Sequence, residues 1–152
     1  MIGTYIPYAV AAVLIAATLI DMRTGKIPNW VTYALFGLFI VLVALSPDRS
    51  AYGWQLLFAG VAFAIGLLLY AMLGFGAGAV KLLFGAALFM PAEHPFKILG
   101  LLLLTMFLGG LFVKLLRGSL GSEDSNWRVL RERVMPMSIP VAATGLIAMF
   151  LL

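Results

Sequence analysis

Two short stretches hold most of the residues that could do chemistry in this chain, Asp21-Met22-Arg23-Thr24-Gly25-Lys26-Ile27-Pro28-Asn29 and Gly76-Ala77-Gly78-Ala79-Val80-Lys81. Each interrupts apolar sequence with glycine, proline or charge, and a chain in lipid tolerates such residues where they line a cavity or meet water. The carboxyl group of Asp21 can serve as a general acid or base. Gly76 and Gly78 let a second backbone approach closely. Other chemistries lack their residues: with no cysteine and the single histidine His94, a thiol nucleophile, a disulfide framework and a cysteine or multi-histidine metal site are excluded. No metal and no cofactor is expected.

These motifs must be positioned by helices in lipid. Of the 152 residues 64% are hydrophobic and 11% charged, with a mean hydropathy of +1.12, far beyond an ordinary soluble domain. The expectation is one polytopic, all-α membrane domain over residues 1–152 with six transmembrane helices. The first runs from Met1 to Ile20, retained because it has neither a basic n-region nor a cleavage site, and Asp21 ends it. Asn29 is placed to cap the second, Trp30 to Leu45. A third covers Trp54 to Leu73, with Tyr52 and Trp54 at its interface. The fourth, Ala79 to Met90, is short, so it either takes in the glycine-rich segment or begins inside the membrane beneath a cavity, the second suiting an irregular backbone. The fifth spans Ile98 to Leu116, where Gly109-Gly110 permits close helix approach. The last, led by Met135-Pro136, ends at Leu152. Between the last two, Trp127, Leu130 and Val134 fall at helical spacing against Arg128, Arg131 and Arg133, which predicts a short amphipathic helix on the membrane surface. The net charge of +4 then reflects topology rather than nucleic-acid binding.

Asp21 with Ile27-Pro28-Asn29, Gly76-Ala77-Gly78 followed by Val80-Lys81, and the proline-led opening of the last span together resemble the type IV prepilin peptidases, membrane aspartic endopeptidases of the GxGD kind. The resemblance implies removal of the basic leader of prepilins at the cytoplasmic face, after a glycine. Asp21 would be one member of a carboxylate pair and position 79 the other, with Gly76, Gly78, Lys81, Ile27, Pro28 and Asn29 in support. Two carboxylates sharing one proton can activate water, one taking its proton while the other donates to the carbonyl oxygen. Lys81 would balance charge near the pair.

Two departures from the family matter. With no cysteine, the chain lacks the zinc region tied to methylation of the new N-terminus, so it resembles the short peptidases of tight-adherence, Flp-type pilus systems and no methyltransferase activity is expected. Ala79 stands where the pattern has its second aspartate, so the chain as written is expected to be inactive. It reads either as a replacement made in an active parent or as a natural pseudopeptidase. Readings from other classes are a prepilin-binding scaffold that does not cut and a small transporter with a broken helix. Taken singly, the glycines can serve packing alone, and Lys81 can snorkel to the surface.

Sidedness follows from Lys and Arg. Six spans place eight of the ten on one face, among them Arg23, Lys26, Lys81, Arg128 and Arg131, and only Arg49 and Lys97 on the other. By the positive-inside rule both motifs face the cytoplasm of a bacterial inner membrane and both termini lie outside. Expected partners are prepilin and membrane lipid, with a homo-oligomer left open. Because the chain has no cysteine, Ser50→Cys and Ser122→Cys can be labelled singly with an impermeant maleimide. They should react from opposite faces, and labelling from the same face would refute the topology.

Overall fold

A computed structural model describes residues 2–73, 76–132 and 135–152. They form helices α1 (Ile2–Thr24), α2 (Asn29–Leu45), α3 (Ser50–Leu73), α4 (Ala77–Ala87), α5 (Pro95–Leu120), α6 (Arg128–Arg131) and α7 (Ser138–Leu151), with no strand among the described residues. The short α4 lies inside the bundle, packed on α2, α3 and α7, and most of its length is buried. The α1 helix packs on α2 and α7, and α5 on α7.

The buried stripe of α1 is Ile6, Val10, Leu14 and Ala17, and the next residue on that stripe is Asp21. Steps of three and four keep these positions on one face of a helix. The same periodicity that builds the core therefore drives a carboxylate into it.

Three helices are long and apolar enough to cross a membrane, over Tyr5–Thr24, Tyr52–Met72 and Pro95–Leu120. The outward faces support that environment: Tyr33, Trp54, Met72, Phe96 and Phe107 are 71% to 86% exposed, a surface that water would not tolerate as one continuous patch. The other apolar helices, α2, α4 and α7, have 17, 11 and 14 residues. At 1.5 Å per residue they reach about 26, 17 and 21 Å against a hydrocarbon core of about 30 Å. Length alone thus carries three of the six expected crossings.

Other boundaries move for local reasons. Asp21 does not end α1; the helix continues to Thr24 and stops at Gly25, whose φ of +69° provides the left-handed turn. Asn29 does not cap α2; Pro28 occupies the cap with no side-chain bond. The α5 helix is longer than expected at both ends. The amphipathic helix is a single turn, α6, whose buried residue is Val129 rather than Trp127 or Leu130; Arg133 and Val134 lie outside the described residues. Polar tethers place α6 instead of an apolar face: the Arg117 guanidinium Nε donates to the Val129 carbonyl at 2.7 Å.

Lipid tails are as apolar as leucine, so these helices associate through close packing and internal hydrogen bonds. A Cβ on Gly109 would stand 2.9 Å from Met135 Cε and 3.4 Å from Ile139 Cγ2, so this glycine does admit a close neighbour. Between α5 and α7 the buried hydroxyls of Thr105 and Thr144 lie 2.7 Å apart. Gly85 of α4 is tighter still, since a Cβ there would sit 2.6 Å from Leu35 Cδ1 and 3.2 Å from Leu35 Cβ. Leu35 is fully buried and cannot move aside. Gly85→Val should destabilise the fold by about 1–3 kcal/mol, read as an earlier unfolding midpoint in detergent titration; an unchanged midpoint would refute this contact.

Candidate active site

The C-terminal turn of α1 fixes the first motif. The Gly25 N–H donates to the Asp21 carbonyl at 2.7 Å, and the Thr24 hydroxyl donates to the Ile20 carbonyl at 2.8 Å. These bonds close the helix, and residues 25–28 turn the chain into α2. The second motif approaches this turn from α4. A Cβ on Gly78 would lie 3.0 Å from Ile27 Cβ, so the glycine lets α4 rest against Ile27. Lys81 Nζ donates to Asn29 Oδ1 at 2.9 Å. Ile27-Pro28-Asn29 and Gly76 to Lys81 are therefore two halves of one junction.

Asp21 and Ala79, 58 positions apart in the chain, line the same cavity of about 450 Å³, together with Gly25, Ile27, Gly76, Gly78 and Arg128. Asp21 is 7% exposed. Its Oδ2 accepts the Ser138 hydroxyl at 2.6 Å and the Ser138 backbone N–H at 3.3 Å. Ser138 is the first residue of α7, so the carboxyl group sits at a helix start where backbone N–H groups are unpaired. Ala79 stands in the first turn of α4, its N–H bonded to the Gly76 carbonyl at 2.9 Å.

Two expected roles change. Lys81 is engaged by Asn29 rather than balancing charge beside Asp21, and among the described residues no cation forms an ion pair with Asp21. Asn29 acts as the acceptor for that lysine. Sequence reasoning did not find Ser138 as the partner of Asp21: the pair is 117 positions apart, and its one signal was a serine opening the last apolar run. It also missed Arg128, whose Nη1 donates to the Gly25 carbonyl at 3.1 Å while Nε donates to Glu132 Oε2 at 2.6 Å. A larger cavity, about 920 Å³, is lined mainly by apolar residues of α3, α5 and the 89–93 connection and holds none of the motif residues.

Fold and site thus define an all-helical membrane protein with an aspartate buried where two separated polar motifs meet. The sequence model of the type IV leader peptidase family matches residues 8–114, which include both motifs. The chain belongs to that family, and proteolysis is the activity that membership implies. No curated protein and no solved structure matches the chain.

The Glu132 carboxyl is held below the ordinary glutamate range by the Arg128 hydrogen bond. A lowered folded value means that the contact is present above the ordinary range of about 4.3 and is lost as pH falls through the folded value. Trp127 fluorescence, read with Trp30 and Trp54 replaced by phenylalanine, should therefore hold steady from pH 7 to 5 and change only below about pH 4. A transition between pH 5 and 7 would contradict the Arg128–Glu132 contact.

Proposed function

We propose that this chain is a prepilin leader peptidase of the short, Flp-type kind whose carboxylate pair is Asp21 and position 79, and that Ala79 leaves it able to hold prepilin without cutting it. The observation that supports this most is that Asp21 and Ala79 line one cavity although they belong to different helices. In the active form a water between the two carboxyl groups loses a proton to one carboxylate as its oxygen attacks the scissile carbonyl. The other carboxyl donates its proton to the carbonyl oxygen, and collapse of the tetrahedral species transfers a proton to the departing amine. An aspartate at 79 would be the third residue of α4, where the helix start favours a negative charge by about 0.3–1 kcal/mol. The chain as it stands lacks that group and its half of the proton transfer.

Gly78 and Gly25 are taken up by packing against Ile27 and Arg128, whereas Gly76 borders the cavity with open space beside it, which suits an extended substrate strand approaching the backbone there. All six apolar helices are embedded in this reading. The shorter α2, α4 and α7 sit within a membrane that α1, α3 and α5 cross outright, and the cavity opens to the cytoplasm at the recessed start of α4. Residues 1–152 form a single peptidase domain, which needs no metal and no cofactor.

Ala79→Asp should give cleavage of a Flp-type prepilin in lipid, and adding Asp21→Asn should lower that rate by at least about 100-fold. The product N-terminus, identified by mass spectrometry, should follow a glycine. Cleavage by the Ala79 chain itself would refute the carboxylate pair. An inert Ala79→Asp protein that still binds prepilin would favour the scaffold reading.

A further inference from the structure

We infer that Ser138 is a positioning residue for Asp21, holding Oδ2 with its hydroxyl and backbone N–H so that Oδ1 is the oxygen presented to the cavity. The inference rests on the peptidase reading and deepens it. Ser138 is fully buried, and its two donors reach the same carboxylate oxygen, at 2.6 and 3.3 Å. Both donate, so Oδ2 is an acceptor twice over and is the oxygen less able to take a further proton. Oδ1 has no hydrogen-bond partner among the described residues, and none of their buried side-chain oxygens is left unpartnered. Oδ1 is therefore not sealed in the protein, and Asp21 itself borders the cavity.

The consequence is a division of labour within one carboxyl group. Proton exchange with water takes place at Oδ1, while Oδ2 stays bonded to the start of α7. The hydroxyl fixes the side-chain torsions of Asp21 and so the direction from which Oδ1 meets the water. An oxygen misplaced by about 1 Å can cost on the order of 100-fold in rate. Removing the hydroxyl leaves the backbone N–H in place, so the carboxyl stays buried but loosens. The expected defect lies in turnover, because Ser138 is covered by protein and does not reach the substrate.

The test uses two readouts. In the Ala79→Asp background, Ser138→Ala should lower kcat by roughly 10- to 100-fold with KM changed less than about twofold, and Ser138→Thr, which keeps the hydroxyl, should retain most of the rate. In the chain as it stands, isotope-edited infrared spectroscopy of Asp21, its band assigned by loss in Asp21→Asn, should show the carboxyl stretch shifted in Ser138→Ala and close to the original in Ser138→Thr. An active Ala79→Asp protein whose kcat ignores Ser138→Ala would overturn the inference and leave the peptidase reading standing. Equal losses in both serine variants would assign the effect to packing and also overturn it. If Ala79→Asp proves inert, the peptidase reading fails, and the infrared band alone decides whether Ser138 holds Asp21: a shift upholds that contact and an unmoved band refutes it.

Discussion

A carboxyl group on the buried face of an apolar helix must be met by donors, and that constraint organises this molecule. Asp21 lies on the stripe that carries Ile6, Val10, Leu14 and Ala17 into the core, where an unpaired polar group is costly. The start of α7 meets that need through Ser138, which ties the last helix to the first. Pro136 is buried just ahead of it, and Pro140 falls within the first turn of α7, where its missing N–H costs no helical bond.

The second constraint is steric. Gly78 brings the start of α4 against Ile27, and Gly85 brings its middle against Leu35. With Lys81 bonded to Asn29, three contacts along one short helix set where position 79 stands relative to Asp21. That position is in the first turn of α4 and Asp21 is held at the first turn of α7, so both members of the proposed pair lie beside helix starts, where negative charge is favoured. The α6 turn lies over this arrangement, with Arg128 joining Gly25 to Glu132.

Much of this was legible in the residues. Composition dictated helices in lipid, and the motifs around Asp21 and Gly76, read as neighbours from their residues, line one cavity. Contacts between distant residues were not legible. A serine at 138 carries no mark of a partner 117 positions away, and Lys81 could be read as a snorkelling cation until Asn29 was found within reach of it. Trp127 and Leu130 had the spacing of a buried face, yet backbone tethers chose Val129. Charge marks a stop for α1 at Asp21, whereas the left-handed turn at Gly25 sets its end at Thr24.

Asp21 and position 79 line a single cavity, which puts their side chains within reach of a short linker. The cysteine-free background allows a direct measurement: Asp21→Cys and Ala79→Cys introduced together and treated in membranes with a short bifunctional thiosulfonate. Efficient intramolecular crosslinking is expected for this pair and none for Asp21→Cys with Ser50→Cys. Absence of a crosslink between 21 and 79, with both cysteines shown to react singly, would contradict that placement.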